Sequence, residues 1–274
     1  MPDQQPSLAY RTYGRADRPP VLCLHGFAGD SDDWTDVGNA LAVQRFVIAV
    51  DLPGHGESVS VDDKHFPMPA CASAVIEVLD YLEIDRTDLI AYSMGGRLGL
   101  YLLTVYPDRF GKALLESTSP GLRTEEERSA RRQLDDDRAT EIEHGSLTAF
   151  FMKWFDQPIF TGMRRRRDAF ERMLTRRLAG SSAGLAKSLR LMGTGAQPSL
   201  WDNLPGLHHP IRLVAGQFDG KFRAIAEQMA DLCPAAEVRI ISDCGHNVHF
   251  EQPAAFYREI ETFLLEETGE QGSN

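Results

Sequence analysis

Six short apolar runs recur along the chain: V-L-C-L at 21–24, F-V-I-A-V at 46–50, D-L-I-A-Y at 88–92, A-L-L-E at 113–116, I-R-L-V-A at 211–215 and E-V-R-I-I at 237–241. Runs this short and this rich in β-branched residues suit strands buried on both faces, and helix-length connections let such strands pair in parallel. The alternation predicts an α/β fold, a largely parallel sheet with helices on both sides. The segment 8–13 is a candidate edge strand. Helices are expected over 34–42, 69–82, 95–106, 222–232 and 253–265, and Pro69 suits a first turn, where its missing N–H costs nothing.

The alternation breaks between Ser119 and Leu207, a stretch that reads as helical, rich in arginine and aromatic residues, and without a convincing strand. It predicts a helical cap (119–207) inserted into one core built from residues 1–118 and 208–274. From 119 to 193, 15 lysines and arginines face 11 acidic residues, although the whole chain carries a net charge of -11. A cationic insert in an acidic protein suggests an anionic small molecule held there. For most of these arginines, R-R-R-R at 164–167 included, a solvated helical surface is the plainer reading.

Other features exclude function classes. The overall acidity argues against nucleic acid as a partner. No apolar run approaches the ~20 residues of a membrane span, and the start M-P-D-Q-Q-P-S has neither region of a secretory signal. The four cysteines follow no metal or redox spacing, which fits a reducing cytoplasm. A chain this long buries enough surface to need no staple. The polar tail after Glu267 is expected to fray.

The candidate chemistry begins at A-Y-S-M-G-G-R, 91–97, between a strand and a helix. A serine at such a turn points its hydroxyl away from the sheet, and small neighbours let the backbone close; Ala91 stands where G-x-S-x-G has its first glycine. Ser93 could attack a carbonyl or remove a proton, and the motif alone does not choose. A serine needs a base, and the base needs an orienting carboxylate, in the chain order Ser, Asp or Glu, His. Asp219 follows the strand at 211–215 and His246 follows that at 237–241, so all three reach the carboxyl edge of the sheet. Asp231 falls within a helix, and Asp243 is too close to His246 in sequence to approach it from the next strand. His249 could form an H-x-x-H pair with His246, but two histidines without a third ligand make a thin metal site. Neither a metal nor another cofactor is expected. L-H-G-F-A-G at 24–29 follows a strand as an oxyanion loop should, with the N–H groups of Phe27 and Met94 as donors. His25 and His55 read as braces for their loops.

These pieces resemble the α/β-hydrolase superfamily over essentially the whole chain. The stretches H-G-F-A-G-D, D-L-P-G-H-G, Y-S-M-G-G-R, S-P-G-L-R-T-E-E-E-R-S-A-R-R, K-W-F-D-Q-P-I-F, G-L-A-K-S-L-R-L-M-G-T-G-A-Q-P-S-L-W, K-F-R-A-I-A and G-H-N-V-H-F-E-Q-P narrow this. Together they resemble the 2-succinyl-6-hydroxy-2,4-cyclohexadiene-1-carboxylate synthases, lyases of menaquinone biosynthesis. The resemblance implies an elimination: Ser93, activated by His246 and oriented by Asp219, acts as a base, and the oxyanion loop holds an enolate. It implies a substrate with three carboxylates, contacted by Arg97, Arg131 and Trp154. An arginine at 176 or 177 should join them, with Arg177 favoured by its spacing to G-L-A-K-S-L. Tyr92 could face the pocket or the sheet, and the pocket is preferred.

Two other readings use the same residues. A carboxylic-ester or thioester hydrolase would employ Ser93 as nucleophile, with an apolar rather than an arginine-lined pocket. A binding module without turnover would have no need of all three of Ser93, Asp219 and His246.

Overall fold

A computed structural model gives the fold and describes residues 5–265; the tail beyond Glu267 lies outside them. Among the described residues one seven-stranded sheet runs in the order β1-β3-β2-β4-β5-β6-β7. Its strands are β1 (Tyr10–Tyr13), β2 (Pro20–Leu24), β3 (Phe46–Val50), β4 (Thr87–Tyr92), β5 (Phe110–Glu116), β6 (Ile211–Gly216) and β7 (Ala236–Ile241). β1 is the antiparallel edge, paired to β3 with Tyr10 opposite Val50, and every other pairing is parallel. The strands lie where the apolar runs predict them, some longer by one to three residues.

Period-two alternation sorts each strand between two cores. Leu22, Leu24, Ile48, Val50, Leu89 and Leu115 face one side, against helices α2 (Met68–Tyr81), α3 (Met94–Val105) and α8 (Gly220–Leu232). Val21, Cys23, Val47, Ala49, Ile90 and Leu114 face the other, against α1 (Thr35–Leu41), α9 (Val248–Glu251) and α10 (Pro253–Ile260). With both faces covered, an all-apolar run such as β3 is buried at every position. The expected helix at 34–42 begins instead with the 3-10 turn Ser31–Trp34, and the one expected over 253–265 ends in a π-turn at Glu261–Leu265.

Between β5 and β6 the chain leaves the sheet for α4 (Glu125–His144), α5 (Leu147–Trp154), a 3-10 segment (Pro158–Arg165), α6 (Arg167–Leu178) and α7 (Ser182–Met192). Thr124 starts α4 with a capping box: its hydroxyl accepts from the Glu127 N–H at 3.2 Å, and the Glu127 carboxylate accepts from the Thr124 N–H at 3.0 Å. These helices bury a third apolar cluster, with Phe150, Phe151, Phe155, Phe160, Met173 and Leu189, onto which Ala28 of the sheet domain also packs. Leu200, Trp201, Leu204 and Leu207, just before β6, join the main core instead. At Gly54 (φ +82°) the backbone lies so close to Gly184 of α7 that a Cβ on Gly184 would meet the Gly54 carbonyl at 2.4 Å.

The strand order decides where a site forms. From β2 the chain moves to β3 on one side, and from β4 to β5 on the other, so the loops leaving β2 and β4 diverge at their carboxyl ends. That divergence opens the crevice in which open α/β sheets hold ligands.

Candidate active site

Ser93 occupies the bend between β4 and α3 with φ +50° and ψ -104°, a conformation that costs a non-glycine residue about 1–3 kcal/mol. Its N–H donates to the Glu116 carbonyl at 2.8 Å, and the Thr118 hydroxyl donates to its carbonyl at 3.3 Å. Gly95 makes the bend possible, because a Cβ there would stand 2.4 Å from the Leu24 carbonyl. Ala91 is accommodated because Gly99 leaves space beside its methyl group; even a Cβ on Gly99 would lie 3.4 Å away.

The Ser93 Oγ lies 3.0 Å from His246 Nε2, and His246 Nδ1 lies 2.6 Å from Asp219 Oδ2. With the Nδ1 proton directed at Asp219, Nε2 is left to accept from the serine. Asp219 is fully buried and caps α8 through its other oxygen, which accepts from the Phe222 N–H at 3.2 Å. The loops after β6 and β7 are tied by Gln217 N–H to Ile241 O at 2.8 Å and Phe218 N–H to Cys244 O at 2.9 Å. The His246 N–H donates at 2.9 Å to Ile159 in the 3-10 segment, and the imidazole is enclosed by the rings of Phe222, Tyr92 and Phe160.

On the other side of Ser93, the N–H groups of Phe27 and Met94 have no protein acceptor among the described residues. Two histidines hold the Phe27 loop. His25 joins Gly26 O at 2.8 Å and accepts the Leu52 N–H at 3.0 Å; His55 accepts the Ala28 N–H at 3.1 Å and joins Pro53 O at 3.0 Å. Burial, reinforced by His25, pushes the His55 imidazole down to about 3, so it stays neutral. Both residues brace their loops, as the sequence suggests.

A cavity of about 240 Å³ opens above Ser93 and is lined by Phe27, Tyr92, Met94, Arg97, Arg131, Trp154, Arg177 and His246, among others. It thus brings together the residues expected to act in catalysis or to contact substrate, except Asp219, which sits behind His246. Arg97 is half-buried and donates to Met192 O at 3.1 Å and to Gln197 Oε1 at 2.5 Å. No carboxylate pairs with it among the described residues; burial, then the Arg131 charge, push its pKa down to about 10. Arg131 gives only its Nε to a partner, Asp135 Oδ1 at 2.8 Å. Trp154 stacks on Phe150 and meets Phe27 at 5.3 Å, so it both packs among the helices between β5 and β6 and walls the cavity.

Arg177 reaches the cavity but is not free. It is held by Asp33 Oδ2 at 2.9 Å and donates to the Ala28 carbonyl. Arg176 instead bridges Asp33 at 2.7 Å and Asp30 at 3.5 Å, facing a second cavity of about 640 Å³ on the far side of Arg177. Of the two, Arg177 is the one on the Ser93 side.

The sequence reading missed Arg138, Phe160, Gln197, Lys221 and Phe222 around this cavity. Arg131, Asp135 and Arg138 recur at i, i+4 and i+7 on α4, a single helix face, and that spacing was available in the sequence. His249 does not pair with His246: its Nδ1 lies 2.6 Å from Glu116 Oε2 and its ring stacks on Trp34. Asp231 and Asp243 are exposed. All four cysteines are free and buried, and burial raises the thiol pKa of each. Among the described residues no helix is long and apolar enough to cross a membrane.

Comparison with known proteins agrees with this geometry. A family model described as the alpha/beta hydrolase fold matches residues 19–253. The chain is 30% identical to 2-succinyl-6-hydroxy-2,4-cyclohexadiene-1-carboxylate synthase of Escherichia coli O1:K1 / APEC over 93% of this chain and 98% of that one. It is 38% identical to a Bacillus subtilis (strain 168) protein that carries the same name provisionally, covering 92% of this chain and 94% of the relative. Among solved structures, MenH from S. aureus superimposes with a TM-score of 0.88 at 33% identity, over 93% of this chain and 97% of that one. The chain therefore belongs to the alpha/beta hydrolase family and, within it, to the 2-succinyl-6-hydroxy-2,4-cyclohexadiene-1-carboxylate synthases.

Proposed function

We propose that the protein eliminates pyruvate from 2-succinyl-5-enolpyruvyl-6-hydroxy-3-cyclohexene-1-carboxylate, giving 2-succinyl-6-hydroxy-2,4-cyclohexadiene-1-carboxylate in menaquinone biosynthesis. The observation that carries this reading is the half-buried Arg97, a cation with only neutral oxygens for partners on the wall above Ser93. Burying an unpaired charge is costly, and a pocket for neutral esters has no use for one. A substrate with three carboxylates offsets that cost on binding.

In this reading Ser93 Oγ takes the ring proton next to the succinyl ketone and passes its own proton to His246 Nε2, and Asp219 stabilises the resulting imidazolium. The ketone oxygen gains charge as the C–H bond breaks, within reach of the Phe27 and Met94 N–H groups, each typically worth about 3 kcal/mol on such an oxygen. The enolate electrons then form one ring double bond, the existing double bond shifts, and the C–O bond to the enolpyruvyl group breaks. The leaving group regains a proton and becomes pyruvate. No acyl-enzyme forms, and no metal or other cofactor takes part.

Arg97 and Arg131 hold substrate carboxylates, Trp154 and Tyr92 wall the ring, and Arg177 contributes its charge from its place on Asp33. Residues 119–207 act as one cap over a core of 1–118 and 208–274. The enzyme works in the cytoplasm, with neither nucleic acid nor membrane as a partner.

The test is incubation with the enolpyruvyl substrate while pyruvate is followed through lactate dehydrogenase, beside turnover of p-nitrophenyl acetate. Pyruvate release with little ester turnover is expected. Rapid ester hydrolysis without pyruvate would make Ser93 a nucleophile and the protein a hydrolase.

A further inference from the structure

Beyond Arg97, the wall above Ser93 carries three more cations, Arg131, Arg138 and Lys221, and the first two share one carboxylate. Arg131 and Arg138 both turn to Asp135 Oδ1, at 2.8 Å and 3.7 Å. Lys221 lines the same cavity, two residues after Asp219 at the start of α8. No carboxylate lies within ion-pair distance of Lys221 among the described residues, and its Nζ lies 5.4 Å from the centre of the Phe222 ring, which packs on His246. Asp135 is buried and gives both arginines the same oxygen; among the described residues its Oδ2 has no hydrogen-bond partner.

We propose that Lys221 and Arg138 form a further carboxylate-binding subsite on this wall, and that Lys221 makes the enzyme selective for a substrate carrying a carboxylate there. The assignment rests on the elimination reading above and deepens it. Like charges held together repel, and a ligand carboxylate among them relieves that repulsion while accepting charge-assisted hydrogen bonds. Partial desolvation, then the nearby Arg131, lower the Lys221 pKa despite the opposing pull of Asp219, and Arg138 adds to the lowering. Arg138 behaves alike, lowered by burial and then by Arg131. Arg138 also lies 5.6 Å from the Trp154 ring centre, which confines its guanidinium between the indole and the cavity. A lysine suits the rim of such a site. Lys221 remains exposed as a residue, so its ammonium can meet an incoming anion before the arginines deeper in the wall do.

The experiment compares Lys221→Met and Lys221→Arg with wild type in the pyruvate-release assay at low and high salt. Lys221→Met should raise KM about tenfold with kcat within about threefold, and the difference should shrink near 0.5 M NaCl. Lys221→Arg should recover most of the loss, which a purely structural role would not predict. An unchanged KM in Lys221→Met, or a fall confined to kcat, overturns the assignment. If wild type releases no pyruvate but hydrolyses esters, the elimination reading has failed and the subsite is judged separately, by turnover of p-nitrophenyl hydrogen succinate relative to neutral p-nitrophenyl acetate. Lys221→Met then lowers that ratio about tenfold if Lys221 binds a carboxylate, and leaves it unchanged if it does not.

Discussion

Two side chains at the cavity, Ser93 and Arg97, carry opposite lessons about what one position can reveal. Ser93 was legible because its role depends on local geometry: a small-residue turn between a strand and a helix can be read from seven letters. Asp219 and His246 followed from chain order, since loops after neighbouring strands must meet at one edge. Arg97 was legible as a pocket residue from its place one turn past Ser93, but its partners were not. Met192 and Gln197 lie about a hundred positions away, and no local pattern encodes that contact. Ser93→Ala should lower kcat for pyruvate release by at least about a hundredfold, the usual share of a positioned base, with substrate binding retained in a calorimetric titration. Arg97 allows a sharper test. Its depressed pKa means that the folded, empty protein holds the charged form at a cost on the order of a few kcal/mol. Arg97→Met should therefore leave the thermal midpoint equal to or above that of wild type while raising KM at least about tenfold. A large loss of stability would mean that its hydrogen bonds to Met192 and Gln197 outweigh the buried charge.

Among the elements, the strands were read almost to the residue, because a strand covered on both faces must be apolar throughout and the sequence carries that constraint directly. The helices between β5 and β6 were legible only as a helical stretch; their faces pack on one another, and which arginines turn inward depends on that packing. The two loops on the oxyanion side form a unit of another kind, joined by His25 and His55 rather than by apolar contact. Burial holds the folded His55 near 3, below the 6.5 of a free imidazole. Between those values the unfolded chain binds a proton that the folded one refuses. Stability from this group is thus complete above about pH 6.5 and is lost as the pH falls toward 3. His55→Gln keeps an acceptor for the Ala28 N–H and removes the titration. Its unfolding free energy in urea should fall by about 2 kcal/mol less than that of wild type between pH 7.5 and pH 5. Equal losses would show that His55 titrates normally and that acid sensitivity arises elsewhere.

At the scale of the whole molecule, the helices between β5 and β6 are tied covalently to the sheet only at their two ends, and the apolar contact of Ala28 and Phe27 with their aromatic cluster is only part of the join. Part of the remainder is polar and largely buried. Asp33, at the entry to α1, receives both Arg176 and Arg177 from α6, about 143 residues further along the chain. Burial works against the Asp33 carboxylate, but Arg177 and Arg176 outweigh it and hold it below the ordinary carboxylate range. The family resemblance suggested Arg177 as a substrate contact, yet could not show that the same guanidinium ties α6 to Asp33, because an ion pair over that separation leaves no periodic trace. Breaking such a pair from one side typically costs about 3–5 kcal/mol, since the partner is left buried with its charge; replacing both sides with apolar groups costs much less. Asp33→Ala should accordingly destabilise the protein by about 3 kcal/mol or more, and Asp33→Ala combined with Arg177→Met should recover part of that loss, both read from urea unfolding. Catalysis separates the two duties of Arg177. If it fastens the cap and also lends charge to the cavity, the double variant regains stability but keeps a raised KM for pyruvate release. A double variant with both stability and KM restored would confine Arg177 to the join and leave Arg97, Arg131 and the Lys221 wall to hold the substrate.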